Sequence, residues 1–404
     1  MVGMNTTPSP VTKRLAWLSG LVLAGGLVLS GCAAATTAEP TISASSSAAT
    51  STAASTDAGS TAETIADTSA AAAAFLATLS DEQKKAVSYD FDDETKTTSW
   101  SNFPVTFVQR AGLNLADLTE EQRTAALAVM ESLLSDEAYA TVTGIMGGDE
   151  YLAENSSSTE DSLGQYYIAF FGDPTATDSA FEVQFGGHHL GINATLDGDA
   201  DAITFAPTHL GVQPAVYTDE DGEEVQPFEG IYTDAFAFFD SLAADQQATL
   251  TSGDVSMCAP GDTCDFATGA GLSGADLADE QRDFLLQLIA NWAGMSDEET
   301  TAAALAEIDK TLDDTVIAWS GATVYDMTTG NGIDFSISGP NVYIAFQAQQ
   351  GSAGADVDGV TTSGWGHVHT IYRDPTNDYA NSVTQQASAG MSGGPGGGST
   401  PPAS

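Results

Sequence analysis

The chemistry open to this chain is concentrated in five histidines, which fall into three groups: His188 with His189, His209 alone, and His367 with His369. None lies in a segment with helical periodicity. His367 and His369 stand two apart in the run GWGHVHTIY, and the period of two in an extended strand puts both imidazoles on one face, a common spacing for metal ligands. HHLGINATL, the polar turn LDGDAD and ITFAPTHLG read as a hairpin. With the turn centred on Asp199, His189 faces His209 across the strands, their Cβ atoms about 5 Å apart. Imidazole clusters suit transition metals, with zinc or copper the expected ion, whereas carboxylates alone would suit calcium or magnesium. In the alternative reading the imidazoles donate to backbone carbonyls and hold no ion.

Three charged residues follow the last histidine in HTIYRDPTNDY. Arg373, set beside a histidine pair, could orient a carboxylate ligand or clamp an anionic substrate, and Asp374 and Asp378 flank a Pro-initiated turn. The alternative is a salt bridge that locks the turn. Asp197, Asp199 and Asp201 imitate the start of a calcium-binding loop, but the required glycine and the closing glutamate are missing, so they read as a hairpin turn. GMSGG, at residues 390–394, matches a nucleophile-elbow string in a low-complexity tail and carries nothing. The chain has no HExxH helix, phosphate-binding loop or dinucleotide fingerprint.

The elements that must position these side chains repeat along the chain. Helix starts recur at Leu79-Ser80-Asp81-Glu82-Gln83, Leu118-Thr119-Glu120-Glu121-Gln122, Leu242-Ala243-Ala244-Asp245-Gln246 and Leu277-Ala278-Asp279-Glu280-Gln281. The first two are capping boxes, and the other two keep the first-turn acids but replace the cap with alanine. The first and third lie 163 apart (242 − 79), the second and fourth 159 apart (281 − 122). Aromatic-rich strands follow in the same order, YYIAFFG and VIAWSG, and then alternating strands that align Gly187 with Gly339. The expected architecture is α+β: two tandem related halves, residues 73–230 and 231–382, each with helices followed by antiparallel strands. The alignment sets His209 opposite His367 and His369, so the groups could converge where the halves meet.

Charge and the chain ends bound the setting. Ten Lys and Arg against 56 Asp and Glu give a formal charge of −46, which excludes a nucleic-acid binder and makes cations the natural small partners. Lys13 and Arg14, the apolar run Leu15 to Leu29, and Leu29-Ser30-Gly31-Cys32 resemble a bacterial lipoprotein signal. Removal of residues 1–31 would leave Cys32 with a lipid and tie the protein to the cell membrane on its extracytoplasmic side. An Ala/Ser/Thr tether is expected over residues 32–72 and a Gly/Pro/Ser tail over 383–404. Cys258 and Cys264 then form an even pair, for which a disulfide is the default, with a redox-active pair or thiolate site the alternative.

WSNFP, GLNLADLTEEQR, FGGHHLGINAT, PTHLG and HVHTIYRDPTNDY resemble the bacterial family known as domain of unknown function 3500, over roughly Leu79 to Tyr379. The resemblance implies one homologous unit and brings no activity to any residue. The first functional reading is therefore a lipid-anchored protein with a histidine-based metal site, for binding, delivery or sensing. The second is a metal-dependent hydrolase in which the ion activates water, Asp374 is the base and Arg373 holds an anionic group. The third is a metal-free surface interaction module. Whether the protein is an enzyme is left open, because a catalytic ion needs an open position and a storage site does not.

Overall fold

Ser60, Ser80 and Thr119 each accept a hydrogen bond from the third amide of the following helix, and Glu63, Gln83 and Gln122 reach back to the cap backbone. These capping boxes start α1 (Thr61–Thr78), α2 (Asp81–Val87) and α3 (Glu120–Leu133). Helix α4 (Asp136–Asn155) is capped by Ser135. A computed structural model describes residues 59–251, 255–260, 266–267 and 269–384, which all belong to one compact unit. The expected signal segment, the lipidated Cys32 and most of the expected tail lie outside the described residues, as does Cys264. Cys258 is buried.

Helix α1 corrects the expected tether, since residues from Thr61 onward are helical rather than unstructured. Alanine has the lowest helix cost of any residue, and Ile65, Ala72 and Phe75 turn one face of the Ala-rich run onto the core beside α3. The composition looked like a linker because the burying residues are widely spaced.

After short strands β1 (Ser88–Tyr89) and β2 (Leu113–Asn114), the first half adds β3 (Tyr167–Phe171), β4 (Ala180–Gly186), β5 (Leu190–Asp197), β6 (Ala202–Thr204) and β7 (Thr208–Val212). A small hairpin, β8 (Tyr217–Thr218) with β9 (Glu224–Val225), precedes the second half. There the helices are α5 (Glu229–Ser241), α6 (Ala244–Gln247), α7 (Asp279–Ala293) and α8 (Glu298–Asp309). Its strands are β10 (Leu272–Ser273), β11 (Val316–Gly321), β12 (Ile333–Ser338), β13 (Tyr343–Gln349) and β14 (Gly364–Arg373).

The fold is α+β, and one large sheet runs through both halves in the order β1-β3-β4-β5-β7-β14-β13-β12-β11-β10. Only β1 with β3 is parallel; the remaining described pairs are antiparallel. Matching positions make matching bonds. The Gln83 and Gln122 amides bond each other and Gln122 donates to the Thr78 carbonyl, while Gln246 and Gln281 do the same beside Ser241. Gly187 and Gly339 both open tight turns, donating to Leu190 and Val342 at 2.8 and 2.7 Å.

Alternation decides what each strand face meets. On β5, Leu190, Ile192, Ala194 and Leu196 join the main core under the helices, so Asn193 and Thr195 face the other way. That second face is buried as well, under the segment from Lys96 to Arg110. Ser99 donates to Gln184, and Gln184 donates to the Lys96 carbonyl and to Asn193. Lys96 and Glu182 form an ion pair at 3.1 Å with neither side chain exposed.

The register corrects the expected hairpin. Strand β6 pairs β5 with Asp197 opposite Ala202, but β7 pairs it with Gly191 opposite His209 and Ile192 opposite Thr208. The turn itself closes one residue off the expected register and the bend at Phe205-Ala206-Pro207 adds another, so His209 meets Gly191, two residues from His189. His189 therefore lies beside Gly211, whose amide donates to its carbonyl at 2.7 Å, and does not face His209.

Candidate metal centre

The site is assembled from three pieces of chain. His188 and His189 are the two central residues of the turn from Gly187 to Leu190, where the matching turn of the second half carries Pro340 and Asn341. His367 and His369 come from one face of β14, as their spacing predicts. His209 comes from β7, which pairs with β14 so that Gly211 faces His369 and His209 faces Ile371. The five imidazoles converge where β7 pairs with β14. His369 is central, its ring centroid lying 5.7, 5.1, 5.2 and 5.0 Å from those of His188, His189, His209 and His367. The most exposed of the five, His188, is at 5%.

Burial disfavours the charged form of four of these rings, His188, His209, His367 and His369. It pushes the imidazoles of His209 and His367 down to about 3, reinforced by neighbouring His189, and it lowers His188 and His369 by the same causes. A neutral ring carries one N–H, so the bonding network assigns the tautomers. His367 Nδ1 donates to the Gln350 carbonyl at 2.7 Å, which leaves its Nε2 as a lone pair. His369 Nε2 lies 3.1 Å from that lone pair and donates to it. Nδ1 of His369 is consequently a buried lone pair, and it has no partner.

His189 is held by a different partner. Its Nδ1 sits 2.5 Å from a carboxylate oxygen of Asp149, whose other oxygen accepts from the Tyr166 hydroxyl at 2.7 Å. The outward Nε2 is buried without a partner. His188 Nδ1 lies 2.9 Å from Glu160. His189 is thus anchored to a carboxylate through Nδ1, the arrangement by which second carboxylates orient metal-binding imidazoles, whereas His188 Nδ1 lies close to Glu160 without a well-directed hydrogen bond. Ligand atoms of His188, His189 and His369 lie within 4.8 Å of one another. Buried, converging imidazole nitrogens without partners fit a transition metal ion.

Not every expected residue belongs to this set. His209 Nδ1 lies 2.7 Å from the Thr370 carbonyl and Nε2 lies 3.2 Å from that of His188, so both nitrogens face acceptors. It holds strand and turn together and is not placed as a ligand. Arg373 is no clamp at the histidines: it pairs with Asp378 at 2.7 Å, donates to the Cys258 carbonyl and lies over Trp100. Asp378 also accepts from the Asp374 amide, and Asp374 accepts from Thr376. The motif RDPTNDY is a locked turn, in which the fixed φ of proline and short acceptor side chains favour local bonds.

Asp149, Glu160 and Arg110 were missed. Asp149 did leave a signal, because Val142, Ile145, Asp149 and Leu152 form one buried stripe of α4 and a carboxylate on an apolar stripe demands a partner. Arg110 donates to the Gly187 carbonyl and to those of Ser101 and Phe103, fixing the turn that presents His188 and His189. Burial pushes its guanidinium down to about 9.

Fold and site together define an α+β protein with a buried imidazole cluster where β7 pairs with β14. Residues 61–381 match the family described as protein of unknown function DUF3500, and the chain belongs to that family. No curated protein and no solved structure matches it.

Proposed function

We propose that this protein binds a transition metal ion, zinc or copper, through His188, His189 and His369, with His367 beside them, and serves metal binding, delivery or sensing. One observation carries the reading: His189 Nε2 and His369 Nδ1 are buried nitrogens without partners inside a set of three converging imidazoles. Leaving such atoms bare costs about 1–3 kcal/mol each, and an ion removes that cost. Burial of all five rings favours a closed site over an open catalytic one, and the residues assigned to hydrolysis, Arg373 and Asp374, are engaged in their own turn. The same proposal places the protein outside the cytoplasm, held to the membrane by a lipid on Cys32, with Cys258 and Cys264 joined as a disulfide and the two halves derived by duplication.

Elemental analysis of the chain from Ala33 onward tests the metal. After exposure to zinc and copper and extensive dialysis, about one ion per chain is expected from the three-ligand set, and folded His189→Ala and His369→Ala variants should retain none. A parent that keeps no ion sinks the proposal and leaves the metal-free module. A gentler change addresses the anchor: Asp149→Asn should weaken the ion's affinity roughly 10- to 100-fold, as loss of an orienting carboxylate does, measured by competition with a chromophoric chelator. Unchanged affinity would mean that Asp149 serves packing alone.

A further inference from the structure

The cluster raises a question of access, since none of its rings is open to solvent. Two segments close over it, residues 156–165 between α4 and β3, and residues 350–363 between β13 and β14. They meet where the Ser157 amide donates to the Gly354 carbonyl at 2.9 Å and the Ser157 hydroxyl lies 3.3 Å from the same oxygen. Gly354 has a φ of +79°, and a Cβ there would come within 2.8 Å of the Ser157 carbonyl oxygen. Only glycine permits this approach.

Glu160, in the middle of the first segment, touches both the cluster and the solvent. Its side chain is 20% exposed while the His188 ring it contacts is 6% exposed, and the Ser162 hydroxyl donates to the same carboxylate. Burial pushes the carboxyl up, but neighbouring His188 overrides this and holds it near 2.

Resting on the metal-binding reading above, we propose that residues 156–165 form a strap that gates the ion's passage, latched at Gly354, with Glu160 the first ligand the ion meets. A hydrated dication is drawn to the partly exposed carboxylate and passes to His188 when the strap lifts. With the strap closed, Glu160 returns to its place beside His188. The occupant is a divalent or monovalent metal cation, because the passage ends in neutral nitrogens with no group to hold an anion.

Stopped-flow mixing of the metal-free chain from Ala33 onward with zinc, followed by a zinc-sensitive chromophore, reads the rate of uptake, and excess chelator reads the rate of release. Gly354→Ala unseats the latch and should quicken both uptake and release roughly tenfold, the factor that goes with losing one or two hydrogen bonds. Glu160→Gln keeps the shape and removes the charge, and should slow uptake by about as much, with the salt dependence of the rate reduced. Ser157→Ala serves as a milder latch variant should Gly354→Ala not fold. A parent that binds zinc with rates unaltered by any of these changes overturns the gate and leaves the metal site standing. A parent that binds no zinc overturns both.

Discussion

Acidifying the metal-free protein from pH 7 to pH 4 is expected to remove on the order of 5 kcal/mol of folding stability, enough to unfold most domains. The histidines set the sign. His209 and His367 are held down to about 3 in the fold, with His188 and His369 also lowered, whereas the unfolded chain binds these protons near pH 6.5. Below that value the unfolded state gains protons that the folded state refuses. The stability is therefore complete above about 6.5 and drains away as the pH falls towards 3. Carboxylates held low, such as Glu160 near 2, add to the loss only below about 4.5. Relief of the −46 charge opposes the loss, but it comes when ordinary carboxylates protonate, below about 4.5. Urea unfolding with chelator present, repeated from pH 7 to 4, should show a midpoint sliding down with pH. A flat midpoint would mean that the imidazoles are hydrated or charged in the folded state.

Lys96→Met should cost about 3–5 kcal/mol, because it strands a buried carboxylate. Glu182 already has one oxygen without a partner; its other oxygen is met by Lys96 and by the Thr195 hydroxyl at 3.3 Å. Burial raises the Glu182 carboxyl, opposed by Lys96, and the Lys96 ammonium sits 4.4 Å from the centre of the Phe91 ring. The double variant Lys96→Met with Glu182→Leu should recover most of the loss, since two apolar side chains of similar volume need no counter-charge. Denaturant unfolding of both single variants and the double gives the coupling. A double variant as unstable as Lys96→Met alone would show that packing of the lysine stem, and not the charge, is what Lys96 contributes.

Much of the local structure was legible from neighbours in the chain. A capping box is a bargain between residues three apart, so Ser80 with Gln83 and Thr119 with Gln122 could be read directly, and the Asp197 turn closed as its short acceptors suggest. His367 and His369 share a face because any extended strand puts them there. At RDPTNDY the sequence supports both a clamp and a turn-locking salt bridge, and only distance decides for the bridge: β14 carries Arg373 past the histidines to Asp378. Helix α1 was lost to composition, since alanine-rich helix and alanine-rich linker differ only in whether something packs on them.

The cluster itself belonged to a different order of information. The grouping of five histidines and the repeat that set His209 opposite His367 and His369 are properties of the sequence, and so is the expectation that they meet. Which nitrogen is free, which is spent on a carbonyl, and which carboxylate stands behind each ring depend on distances between segments far apart in the chain. Asp149 reaches His189 across 40 residues and Thr370 reaches His209 across 161. One residue of slip in the β5–β6 turn and one more at the Ala206–Pro207 bend set His209 opposite Gly191, two residues from His189. Short-range bonds and strand periodicity are set by the chain's own neighbours, while hydrogen-bond direction in a buried cluster is set by the few ångströms that only the packed sheet decides.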